Sequence, residues 1–174
     1  MTVIIADPPY SWNDKLPGDN RGADEHLIAL TTEQIQATAL PRLDPDSVLF
    51  LWRPASRLQD SLKIAEAWGF TPKTEMVWVK TTVKGNRHMG MGRIVRGEHE
   101  SVLIATRGKP SVSVRNIRST FTANVVPYGK PPEFYEIVRE LYPDHTHYER
   151  TAKEWRRGWA LVHHPRSHAP AKRV

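Results

Sequence analysis

The chain has no cysteine, which excludes disulfide bridges and thiolate metal sites and leaves the redox compartment open. No apolar run approaches the roughly 20 residues needed to cross a bilayer. The first residues, through Asp7, lack the basic segment of a secretory signal peptide. The expectation is a cytoplasmic protein without a membrane partner. Acidic residues are in deficit, 19 against 25 Lys and Arg. The 174 residues predict one domain, with no room for a separate target-recognition domain.

The surplus of positive charge is concentrated. Residues 73–118 carry ten Lys/Arg against three Glu, and residues 150–174 carry seven against one. Two basic stretches on an otherwise acidic body fit a surface that meets phosphates. They fit a solvated loop and a disordered basic tail equally well on charge alone.

Hydrophobic patterning gives alternating strands and helices. Val3–Ala6 is a β-branched run that stops at Asp-Pro-Pro and reads as a buried strand. Residues 11–30 read as a loop. Thr31-Thr32-Glu33-Gln34 is a helix start, with the helix ending before Pro41. Ser47–Trp52 is a second strand. Arg57–Trp68 has helical spacing, closed by Gly69. Thr74–Lys80 is a third strand and Glu100–Thr106 a fourth. Between them lies a loop with four glycines and five basic residues, His88 among them. Residues 107–129 read as a second basic loop and Pro131–Leu141 as a helix with prolines in its first turn. Strands are expected at 145–151 and 158–162, and a disordered tail from about residue 165. The fold class is α/β, a mainly parallel sheet flanked by helices. Ligands in such sheets sit at the carboxyl ends of strands. Asp7–Tyr10 and the loops starting near residues 81 and 107 are therefore expected at one edge.

Asp7-Pro8-Pro9-Tyr10 is the segment that carries chemistry. An exocyclic base amine is a poor nucleophile because its lone pair is delocalised into the ring. A site that accepts both N–H bonds frees that lone pair. Asp7 can accept one and the Pro8 carbonyl the other, with proline fixing the backbone. Tyr10 offers a flat face for an extruded base. Asp-Pro-Pro is also a common way to end a strand in a turn, and the tetrad alone does not separate these readings. His88 and His99 have no third partner at convincing metal-ligand spacing, so no metal is expected.

The order of segments resembles the MT-A70 family of adenine-N6 methyltransferases over residues 3–162. IIADPPY is similar to the family's strand and tetrad, with Tyr where Trp is frequent. SVLFLW, AWGF at 67–70, EMVWVK at 75–80, HMGMGRIVRGEHESVLIATRGKP at 88–110, GKPPEFYEIVRELYP at 129–143 and YERTAKEWRRGW at 148–159 follow in family order. The resemblance implies a Rossmann-like, S-adenosylmethionine-dependent methyltransferase domain over residues 1–164, with the catalytic strand first and the cofactor strand last. It implies catalysis by Asp7, Pro8, Pro9 and Tyr10. It implies cofactor contacts from Asp7, Pro8, Lys130, Glu149, Lys153 and His164, with Lys130 on the cofactor carboxylate and Glu149 on its ribose. Substrate contacts would come from Tyr10, Trp12, Arg93, Arg96 and Glu100. The partner is expected to be nucleic acid, DNA ahead of RNA, with a homodimer or a partner subunit as the assembly. Alternatives are RNA adenine-N6 or cytosine-N4 methylation, and a non-catalytic nucleic-acid-binding subunit of the same fold.

Overall fold

A computed structural model describes residues 1–11, 29–92, 94–127, 129–150 and 155–157. Its strands are β1 (Thr2–Ala6), β2 (Ser47–Arg53), β3 (Thr71–Thr81), β4 (His99–Arg107), β5 (Thr120–Asn124), β6 (Thr146–Arg150) and β7 (Trp155–Arg157). Its α-helices are α1 (Thr32–Gln36), α2 (Leu58–Ala67) and α3 (Pro132–Leu141). The strands form one sheet in the order β5-β3-β4-β2-β1-β6-β7.

β1 and β2 are buried on both faces, as continuous β-branched and aromatic runs require. On one face Val3, Ile5, Phe50, Trp52 and Trp78 pack under Phe134, Val138 and Tyr142 of α3 and the residue after it. The Trp52 and Phe134 rings are 4.7 Å apart in an edge arrangement. On the other face Ile4, Leu49 and Leu51 pack under Ile35 of α1 and Ile64 and Ala65 of α2, with Trp68 and Phe70 closing the layer. α1 starts at the expected capping box, in which Thr31 and Gln34 exchange side-chain-to-backbone bonds. Beyond α2, Gly69 takes φ +79°, a left-handed conformation that suits glycine.

This is a Rossmann-like arrangement, but with a reversed strand in its middle. β1 pairs in parallel with β2 and β6, and β3 with β5. β4 is antiparallel to both β2 and β3, and β7 is antiparallel to β6. Five strands thus share a direction, while only three of the six pairings are parallel. The reversal follows from the connection. Among the described residues no helix lies between β3 and β4, so the chain turns back through residues 82–98 and slots in as a hairpin partner. α2 carries β2 over β4 to β3.

The reversal corrects one expectation. The carboxyl end of β4, at Arg107, pairs with Ser47 at the start of β2, opposite the Asp7 edge. The following loop stays there: the Lys109 backbone N–H donates to Asp46 Oδ1 and that of Ser113 to the Leu141 carbonyl. The 107–119 segment therefore does not converge on Asp7 at its start; the 82–98 segment does. Two further differences concern strands. β5 lies inside the stretch read as a loop, and the last described strand is at 155–157. The expected strand at 158–162 and the tail from 165 fall outside the described residues, as does nearly all of the 11–30 loop.

Candidate active site

Alternation along the strands decides what reaches the edge. Ile5 and Val3 face α3, so Asp7, two residues on, emerges on the same side. Trp78 and Val102 face α3 as well, which carries Lys80 and Glu100 to that side. In the sheet register Trp78 lies opposite Glu100, and Ile5 lies beside Glu149. The segment leading into α3 brings Lys130 over them. Asp7, Lys80, Glu100 and Lys130, from four parts of the chain, therefore meet at one sheet edge.

Lys130 Nζ sits 2.8 Å from Glu100 Oε2 and 3.1 Å from Asp7 Oδ2. Glu100 Oε1 is held in turn by Lys80 Nζ at 2.5 Å. Each lysine also lies over a tryptophan face, Lys130 at 4.6 Å from the Trp52 ring centre and Lys80 at 4.9 Å from that of Trp78. Burial alone would push the Lys130 ammonium down, but Asp7 and Glu100 outweigh it and raise its pKa above the ordinary lysine value. Glu100 is the mirror case. Burial pushes it up, and the two lysines bring it below the usual glutamate value. Lys130 and Glu100 are thus held charged near neutral pH.

The tetrad itself is pinned. Pro8 and Pro9 are buried, and the Pro9 carbonyl accepts from the Leu30 N–H at 2.8 Å. The Pro8 carbonyl accepts from the Tyr10 N–H at 2.9 Å, which leaves its second lone pair for another donor. Asp7 is different: its side chain is 46% exposed, so it is open to a ligand.

Tyr10 does not present the open stacking face read from the sequence. Its ring is packed with Ile4, Leu51 and Ile64 on the α1/α2 side, and its hydroxyl donates to the Trp52 carbonyl at 3.2 Å. The turn through two prolines carries it across the sheet edge, where an aromatic ring gains more from the core than from water. Burial, followed by the nearby Asp7 and Asp60 charges, pushes its hydroxyl pKa well up, so it stays protonated.

Glu149 is half-buried near the end of β6 and accepts from the Tyr135 hydroxyl at 2.6 Å. Tyr135 belongs to α3, and its pKa is raised by burial and then by Glu149. Arg96 is exposed on the 82–98 segment, away from the carboxylate cluster's bonds. Trp12, Arg93, Lys153 and His164 lie outside the described residues. Sequence reading did not assign Lys80, Trp52, Trp78 or Tyr135. The signal for the first three was present in EMVWVK, where a tryptophan and a lysine sit on one strand face, and in SVLFLW, which ends in a tryptophan.

A family model described as MT-A70 matches residues 1–163. The chain belongs to the MT-A70 family. An "N(6)-adenosine-methyltransferase MT-A70-like" protein of Arabidopsis thaliana is 27% identical over 146 residues, covering 81% of this chain and 20% of the relative. The human "N(6)-adenosine-methyltransferase catalytic subunit METTL3" is 27% identical over 158 residues, 82% of this chain and 24% of the relative. "Type II methyltransferase M.MunI" of a Mycoplasma species is 25% identical over 178 residues, 90% of this chain and 74% of the relative. This MT-A70 chain spans about a fifth to a quarter of the length of the eukaryotic relatives.

The cluster suits the cofactor that the MT-A70 resemblance implies. An amino-acid carboxylate needs a fixed cation, and Lys130 has three donors of which Asp7 and Glu100 take two. A ribose diol needs a carboxylate acceptor, and Glu149 stands on the strand next to β1. Among the described residues no group of three or more His, Asp or Glu could hold a metal ion, and no helix is long and apolar enough to cross a membrane.

Proposed function

We propose that this chain is an S-adenosylmethionine-dependent methyltransferase acting on adenine N6 in nucleic acid, with DNA ahead of RNA. The observation that carries the reading is Asp7, half-exposed at the end of β1 in the family's tetrad, with Lys130 3.1 Å away. Lys130 holds Asp7 by Oδ2. Asp7 Oδ1 is then the oxygen aimed at an adenine amine, and the Pro8 carbonyl is the second acceptor. Accepting both N–H bonds frees the nitrogen lone pair and fixes its direction. When bound, S-adenosylmethionine supplies a methyl group on sulfonium, so that the N–C bond forms as the S–C bond breaks and a neutral thioether leaves. The methylated nitrogen is then acidic, and Asp7 or solvent takes its proton. Lys130 and Glu149 would hold the cofactor's carboxylate and ribose.

The names of the eukaryotic relatives carry adenosine, which keeps RNA as the second reading. The deciding experiment is methyl transfer from labelled cofactor to single- and double-stranded DNA and RNA, with nucleoside analysis of the product. Labelled N6-methyladenine in DNA is expected. Label confined to RNA selects the second reading, and label in N4-methylcytosine refutes adenine. No transfer together with no binding of the cofactor in calorimetry would leave only a nucleic-acid-binding role.

A further inference from the structure

The 82–98 segment between β3 and β4 is a folded hairpin with its apolar side chains outside. A tight first turn is closed by Thr82 N–H to Asn86 O and His88 N–H to Lys80 O, and the longer turn that carries the tip by Lys80 N–H to Glu98 O and Gly90 N–H to Gly97 O, all within 2.9 Å. At the tip, a Cβ on Gly92 would sit 2.0 Å from the Val95 carbonyl oxygen, so that turn is built for glycine. The tip shows Met91 at 90% and Ile94 at 97% exposure, with Val95 and Met89 also exposed. Apolar side chains grouped this way on a shaped element mark a surface that meets something.

Charge identifies the partner. Glu98 is the hairpin's one acidic residue and is paired with Arg87 at 3.4 Å, while Arg96 lies beside the apolar tip and Lys84 on the neighbouring turn. A second copy of this chain has net charge +6, so no overall attraction draws two copies together. A polyanion is attracted. Among polyanions, nucleic acid also offers an apolar interior, the base stack, into which methionine and isoleucine insert when flanked by cations. The hairpin's root is Lys80, whose ammonium grips Glu100 in the Asp7 cluster, so the hairpin leaves the sheet at the edge that holds Asp7.

We propose that the 82–98 hairpin is a wedge that enters a nucleic-acid duplex through Met91 and Ile94 and takes the place of the base drawn toward Asp7. This rests on the reading that the chain methylates a base amine. A base in a duplex must leave its stack to be reached, at a cost of a few kcal/mol. The inserted side chains fill the gap and lower that cost. Single-stranded substrate has no such requirement.

The test uses duplex DNA in which 2-aminopurine replaces single adenines in turn, because that base brightens when unstacked. The full chain is compared with its M91S/I94S variant; both positions are on the surface and leave the core unchanged. The wild-type chain is expected to raise fluorescence several-fold at the step it enters, and the variant to lose more than half of that rise. The ratio of duplex to single-strand methylation is expected to fall about tenfold in the variant. An equal fluorescence rise with both proteins, or a change from dimer to monomer in sedimentation on substitution, would overturn the wedge. Methylation of duplex without any rise sinks the wedge and leaves the activity standing. A substitution-sensitive rise without methyl transfer does the reverse.

Discussion

Lys130 Nζ bridges Asp7 and Glu100, at 3.1 Å and 2.8 Å, over the face of Trp52. One ammonium thereby ties the tetrad at the end of β1 to the start of β4. The side chain is only 14% exposed, so its partners rather than water compensate its charge.

Replacing Asp7 by Ala is expected to lower methyl-transfer kcat by at least about a hundredfold, as loss of a transition-state hydrogen-bond acceptor does. Cofactor affinity, read by calorimetry, should move by less than about threefold. Turnover retained at near wild-type level would remove Asp7 from the mechanism.

Replacing Lys130 by Met should weaken cofactor binding about tenfold or more. It also leaves Asp7 without its cation while Glu100 keeps Lys80, and breaking such a pair costs about 3–5 kcal/mol when it is fully buried and less here. Lower stability in urea with unchanged cofactor affinity would make the residue structural and refute its binding role.

Lys80 is a positioning residue that acts through Glu100. K80M should lower kcat more than it raises KM, and K80R should restore much of the loss because an arginine still reaches Glu100. An equal deficit in both variants would show that the lysine does not act through that ion pair.

Basic side chains at the two sheet edges should separate cleanly. K84A/R87A, on the hairpin, is expected to weaken nucleic-acid affinity and to flatten its log–log salt slope by about one unit for each phosphate no longer neutralised. R107A/K109A, at the opposite edge, should leave the slope as it is. Equal effects would mean that nucleic acid wraps both edges.

Acid should loosen the fold through His147. Burial, opposed by a bond with the Tyr142 backbone and reinforced by His145 and Arg139, lowers its pKa to about 4. The unfolded chain takes up that proton below about pH 6.5, while the folded chain resists until about pH 4. Stability should therefore fall as pH drops through this window, by at most about 1.4 kcal/mol per unit from this group. His147→Gln should make the melting temperature less steep in pH there. An unchanged steepness would assign the acid sensitivity to other groups.

Much of the sheet was legible because its central strands are buried on both sides. TVIIA and SVLFLW have no solvent face and admit little else. The direction of β4 was not legible, since ESVLIAT reads the same either way and the connection before it sets the sense. β5 escaped because TFTAN offers only two apolar side chains within a basic stretch. Asp7 was visible from local chemistry. Lys130 and Glu149 were visible only through family resemblance, because a lysine before two prolines and a glutamate among polar neighbours have ordinary surface explanations. The inward turn of Tyr10 depends on packing across two helices, which no tetrapeptide contains.

The reversed course of β4 roots both legs of the hairpin at the same place. Glu98, whose carbonyl closes the stem, stands two residues before Glu100, and Lys80 on the other leg grips that same carboxylate. Both legs end on one anion. The two legs and the ion pairs from Glu100 to Lys130 and Asp7 thus form one connected path between the hairpin and the tetrad.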